Sequence, residues 1–202
     1  MKSRGTPKGR LIALEGSGGR PMAVASRFLE RQFREQNVVT GSSGWDASDL
    51  FFQISQGARG LPSPSPRTLV LLYASDLAFR LRWQIQPALE EGITVIAAPY
   101  LETVFGFGRA AGIAAAWLRQ VLEFAPRADE CYRVPEDKIP LERRGTPANS
   151  FVEFCLAQLR CGPGCWDAEE IRAGYLSHLA RLEARGKCRP ASRLPELARV
   201  RE

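Results

Sequence analysis

Residues 11–30, LIALEGSGGRPMAVASRFLE, carry the spacing of a phosphate-cradling turn. A short apolar run leads into Gly16, Ser17, Gly18 and Gly19, and a helical pattern follows. In such turns glycines let backbone N–H groups approach a phosphate. A lysine reaches the terminal phosphates, and a Ser or Thr hydroxyl holds magnesium. Here the frame of Gly16 and four further residues is intact, but it ends in Pro21, Met22 and Ala23. Met22 has no charge, Ala23 has no hydroxyl, and Pro21 has no N–H. Arg20 is the one cation in the turn. Two readings stand side by side: residual anion binding at a helix N-terminus, or glycines that serve only a tight strand-to-helix turn.

A second group is the cysteines: Cys131, Cys155, Cys161, Cys165 and Cys188. An odd count without an export signal argues against a disulfide framework. The turn Gly162-Pro163-Gly164 could join Cys161 to Cys165, and Cys155, Cys188 or His178 could complete a zinc or iron–sulfur set. That spacing is not a standard zinc pattern, and buried free thiols explain it equally simply. The expectation is no metal. His178 is the single histidine, and it reads as a surface or interface residue rather than a general base.

The elements that must position these groups alternate. Apolar positions Val24, Phe28, Leu29 and Phe33 mark a helix over 21–36. Residues 37–40 read as a short strand and GSSGWDAS as a loop. Asp46 or Ser48 is placed to cap a helix in DLFFQISQG. A long helix is predicted from Thr68 to Glu91, with Pro87 as a kink and Gly92 as its stop. ITVIAAPY and ECYRV are further strands, helical patterns lie around 103–124, and the remainder reads mainly as helix. This alternation predicts an α/β fold with a mostly parallel sheet, whose ligand site lies at the carboxyl ends of the strands.

Composition narrows the classes. The chain has 202 residues, 45% hydrophobic and 25% charged, with a net charge of +6. That is ordinary for one soluble domain with a substantial core. No apolar run approaches the ~20 residues of a membrane span, and no apolar signal core follows the basic start. The setting read from this is cytoplasmic, without membrane or nucleic-acid partners. The basic residues are scattered among acids, as on a solvated surface.

The landmarks from about Arg10 to Gly145 resemble the thymidylate kinase family of P-loop nucleoside monophosphate kinases. LIALEGSGG is similar to the family's FEGxDGxGKST loop, and VVTGSSG occupies the place of TREPGG. LLYASDLAFRLRWQIQPALEEGITVI is similar to LLFAADRxxHxxxxIxPALxxGxxVI. AAPYLETVFGF stands where the family has CDRYxxSxxAYQ, and PRADECYRVPEDKIPLERRG resembles PDLTxxLxVxPExAxxRxxxRG. The resemblance implies a three-layer P-loop NTPase-like α/β fold, a mostly parallel sheet flanked by helices. Residues 1–202 then form a single thymidylate-kinase-like domain, with 1–9 a basic tail and 150–202 a divergent, helical, cysteine-containing part. It implies a homodimer as well, and it makes Asp76, Tyr100, Glu102 and Thr103 remnants of a substrate pocket. Arg143 and Arg144 become lid residues, with Arg109 a further candidate.

The departures fall where the chemistry would be. Besides Pro21, Met22 and Ala23, Gly18 replaces the loop aspartate, and Gly41 and Ser42 replace an Arg-Glu. Leu77 replaces the arginine expected to hold the acceptor monophosphate. Ala98 and Pro99 replace an Asp-Arg. The expectation is a pseudoenzyme: a binding or scaffolding protein with a degenerate nucleotide pocket, an unidentified protein partner and no cofactor. Two alternatives are kept. One is a divergent active dTMP kinase using ATP and magnesium with Arg20 and the lid arginines; the other is a metal- or partner-binding protein acting through its C-terminal cysteines.

Overall fold

A computed structural model describes residues 9–57, 64–136, 150–160 and 166–191. Five strands form one sheet: β1 (Leu11–Glu15), β2 (Thr40–Gly44), β3 (Thr94–Ala98), β4 (Glu130–Arg133) and β5 (Arg189–Pro190). Their spatial order is β2-β3-β1-β4-β5, and every pairing is parallel. The central strand β1 is buried along its whole length, as a parallel strand covered on both faces must be. Its side chains alternate between two cores. Ile12 and Leu14 pack with Met22, Ala25, Phe28 and Leu29 of α1 (Gly19–Glu35). Leu11 and Ala13 join the larger core on the other face.

That larger core is built by α2 (Leu50–Gly57), α3 (Pro66–Arg80), α5 (Leu101–Ala110), α6 (Ala115–Val121), α7 (Phe151–Arg160) and α8 (Ala168–Ala184). Aromatic rings from four of these helices mesh in it. Phe51 meets Phe154 at 5.2 Å, Tyr73 meets Phe151 at 4.6 Å and Phe107 meets Phe151 at 5.3 Å between centroids. These are the tilted and edge-on distances aromatic quadrupoles favour.

The sequence expectations are corrected in several places. The second strand lies at Thr40–Gly44, beyond the 37–40 stretch that reads as a strand. Its small side chains are mostly half-exposed or exposed, so backbone pairing with β3 defines it rather than an apolar pattern. The long helix has no simple proline kink. It runs as α3, widens to a π-helical turn at Leu81–Ile85 and continues as α4 (Gln86–Glu90). Gln86 N–H reaches back to the Leu81 carbonyl. The missing N–H of Pro87 relaxes the ladder just where this wider bonding is needed. Gly92, at φ 82°, ends the helix as expected, its left-handed conformation costing glycine little. A fifth strand, absent from the sequence reading, follows α8. Among the described residues no helix is long and apolar enough to cross a membrane.

Candidate functional site

The glycine turn does join β1 to α1, at the carboxyl end of the central strand. Gly16, Ser17, Gly18 and Gly19 are nevertheless all buried. Two later segments cover them. Ser17 Oγ donates to Glu136 Oε1 at 2.9 Å, and Ser150 Oγ, just before α7, donates to the Ser17 carbonyl. A Cβ placed on Gly18 would lie 3.8 Å from Glu153 Oε1, and 3.0 Å from the Pro21 ring. Two carboxylates thus stand beside the turn, Glu136, which is also ion-paired with Arg172 at 3.4 Å, and Glu153. Arg20 is exposed and Ala23 is exposed. Met22 is only 3% exposed and packs in the α1-side core. A cavity of about 250 Å³ between α1 and the ends of β2 and β3 is lined by Met22, Ala23, Ser42, Ser43 and Trp45.

The adjoining residue behaves differently. Glu15 closes β1 and is 1% exposed. Its Oε2 accepts from Thr103 N–H at 2.8 Å, Thr103 Oγ1 at 2.6 Å and Tyr100 N–H at 3.3 Å; Oε1 accepts from Glu102 N–H at 3.1 Å. The carboxylate thus caps the N-terminus of α5, where orphan N–H groups and the helix dipole favour a negative charge. Burial raises its pKa to about 7, with the Glu102 charge adding to the rise, while the Thr103 and backbone bonds pull it down.

The structure gathers three of the four substrate-pocket candidates around that carboxylate. Thr103 is fully buried and also accepts, weakly, from Gly16 N–H at 3.4 Å. Tyr100 is buried, its hydroxyl donating to the Pro126 carbonyl, and burial pushes its phenol upward. Glu102 lies 3.0 Å from His178 Nε2. His178 is therefore not a plain surface residue: its side chain is 13% exposed, and it also stands against the Phe105 ring. Asp76 lies elsewhere. Fully buried on α3, it accepts from Asp46 N–H, Ser48 N–H and Ser48 Oγ, and so fixes the connection after β2. Asp46 in turn caps α2 by accepting from Phe51 and Phe52 N–H, both at 2.8 Å, and desolvation raises its pKa. Arg143 and Arg144 lie outside the described residues.

Sequence reasoning missed Glu15, Glu136, Glu153 and Arg80. Arg80 is completely buried; its Nε donates to Ser43 Oγ, and its Nη2 donates to the carbonyls of Ser43 and Pro99. It welds α3 to the ends of β2 and β3. An ionic residue amid apolar helix positions, and a carboxylate ending an apolar strand, were the signals available.

The cysteine reading needs correcting. Cys131 and Cys188 form a disulfide, with Cα atoms 4.6 Å apart. The β4–β5 register pairs Tyr132 with Arg189, which sets the residues preceding them side by side. An odd count could not reveal that. Cys188 is thereby removed from any metal set. Cys155 is free but fully buried, and burial pushes its thiol upward. Cys161 and Cys165 lie outside the described residues, and no metal-binding group of three or more ligands occurs among those described.

No protein-family model matches the chain. Curated relatives exist. A probable thymidylate kinase of Pyrococcus abyssi is 31% identical over 139 residues, 60% of this chain and 62% of that protein. A thymidylate kinase of Clavibacter sepedonicus is 33% identical over 99 residues, 47% of this chain and 46% of that protein. The matches thus span about half to three-fifths of the relatives' length. The crystal structure of thymidylate kinase from Ehrlichia chaffeensis superposes with a TM-score of 0.62 over 97% of this chain and 100% of that one, at 12% identity. That likeness establishes the fold. The chain is thus similar in sequence to thymidylate kinases over part of its length, and it shares the fold of one over nearly all of it.

Proposed function

We propose that this chain is a thymidylate-kinase-like pseudoenzyme, a cytoplasmic binding or scaffolding protein that has lost magnesium-dependent phosphoryl transfer. The observation carrying this reading is the fate of the turn: its glycines are buried, and Met22, in the lysine's place, is part of the core. Transfer of a phosphoryl group depends on positioning and charge stabilisation. Each lost stabiliser costs about 10²–10³ in rate, although such losses need not add. Here the lysine and the metal-binding hydroxyl are both absent, and the carboxylates of Glu136 and Glu153 stand beside the turn. No cofactor is required by this reading.

The second reading is an active, divergent kinase, which the names of the relatives favour. Magnesium and ATP are then obligatory, and Arg20 is the cation carried by the turn itself. A coupled assay with ATP, magnesium and thymidine monophosphate separates the two. We expect no transfer above background. Turnover of ~1–100 s⁻¹, the usual kinase range, overturns the pseudoenzyme. Calorimetry with ATP on a Met22→Lys, Ala23→Ser variant adds a finer test. Binding gained by the variant reveals a preserved pocket; tight magnesium-dependent binding by the unmodified chain revives the kinase.

The homodimer belongs to the same proposal. Leu71, Phe79 and Trp83 are exposed by 48%, 40% and 66% along α3 and its π-helical continuation. Large apolar side chains in a row favour a covering partner. Light scattering should return twice the mass of one chain; a monomer at high concentration excludes it.

A further inference from the structure

A cavity larger than the one beside α1 lies away from the glycine turn. It holds about 860 Å³ and opens on the face of the sheet opposite α1. Its walls come from the start of α5, the end of α6, the segment before β4, and the turn after α8. This is the volume of a site for a small organic molecule.

Its chemistry is two-sided. Ala13, Tyr100, Phe105, Leu122 and Leu182 give it an apolar interior. Arg119, Arg127, Arg185 and Lys187 also line it, and all four are exposed and reachable from water. None of the four has an ion-pair or hydrogen-bond partner among the described residues. Three carboxylates face the same space, Glu15, Glu102 and Glu123. Glu15 is sunk and saturated by donors of α5. Glu102 is held by His178. Glu123 alone opposes four cations, so the mouth is positive.

The cations do not come together by chance of sequence. Arg185 and Lys187 precede Cys188, and Arg127 precedes Cys131; the Cys131–Cys188 bond joins the two segments at the cavity wall. Such a rim focuses field on an incoming anion, and the interior offers an apolar body somewhere to go.

We infer that this cavity is a binding site for an amphipathic organic anion, a small molecule with an aromatic or aliphatic body and a phosphate or carboxylate head. The inference is independent of whether the glycine turn binds nucleotide, because the cavity and α1 lie on opposite faces of the sheet.

Naphthyl phosphate is a suitable probe, with naphthoate as the carboxylate arm and naphthol as the neutral comparator, all measured by calorimetry on the full chain at low salt. Saturable binding of at least one of the anions is expected, weakened by added salt and absent or much weaker for naphthol. An Arg185→Ala, Lys187→Ala variant should lose about tenfold or more in affinity. An Arg27→Ala, Arg34→Ala variant, which removes the same charge from the exposed side of α1, should bind as the parent does. If the first variant melts early by circular dichroism, Arg119→Ala, Arg127→Ala tests the facing wall in its place. No saturable binding of either anion, equal affinity for naphthol, or unchanged affinity in the cavity variants would each overturn the site.

Discussion

Glu15 and Gly16 are neighbours in the chain and opposites in chemistry. On the Gly16 side, the groups of the turn serve packing and local bonding: Met22 is core, Ser17 is tied to Glu136, and Glu153 stands close to Gly18. On the Glu15 side, a charge-capable group is buried and each oxygen is used, binding the end of β1 to the start of α5. The polar joints that hold the strand ends in place are thus complete on one side of a single peptide bond, and the side chains on the other side serve packing. The joints matter to folding whatever the site does. The reacting groups matter only to catalysis.

The largest test of that contrast is Arg80→Ala. It strands the Ser43 and Pro99 carbonyls and leaves a void, and should destabilise the protein by about 4 kcal/mol in urea unfolding. A loss under about 1 kcal/mol would mean that the polar joints carry no more weight than the turn does. A smaller effect is expected from Glu15, and only with pH. Its pKa rises from 4.5 in the open chain to about 7 when folded, so the folded state holds the proton more tightly. Its contribution is fully present below about pH 4.5 and is lost as the pH climbs through about 7, a swing on the order of 3 kcal/mol. Urea midpoints at pH 4.5 and pH 8 should therefore converge in Glu15→Gln. If the parent and the variant show the same slope, Glu15 does not titrate in this window. The smallest effect is Asp46→Ala, which removes the α2 cap and should cost about 1–2 kcal/mol. Desolvation also raises the pKa of Asp46, so its loss should alter the slope only at the acid end and leave the part near pH 7 to Glu15.

Strands β1 and β3 were legible as apolar runs, β4 was named from the short stretch ECYRV, and the helices showed because their apolar spacing repeats. The second strand was displaced because Thr40–Gly44 has little apolar character, and the fifth, at two residues, leaves no pattern at all. The π-helical turn depends on which carbonyl a given N–H selects, and composition does not encode that. The glycine turn was readable by residue type. The direction of Met22 was not, since a methionine beside a phosphate and a methionine in a core are spelled alike. Thr103, Tyr100 and Glu102 were named for a substrate pocket. The structure gathers them around a carboxylate that was not singled out.

The strand order has a consequence in time. β1 sits between β3 and β4, and its Glu15 pairs in register with Arg133. A ribosome adding ~5–20 residues per second needs roughly 6–24 s to travel that interval. For those seconds the strand that ends up buried at every position exists without one of its two neighbours. β3 arrives earlier and covers one edge, and α1 can cover one face, but the edge that β4 will occupy stays open. The nascent chain therefore passes through a stage with an unpaired strand at its centre, where it is most vulnerable to another copy of itself.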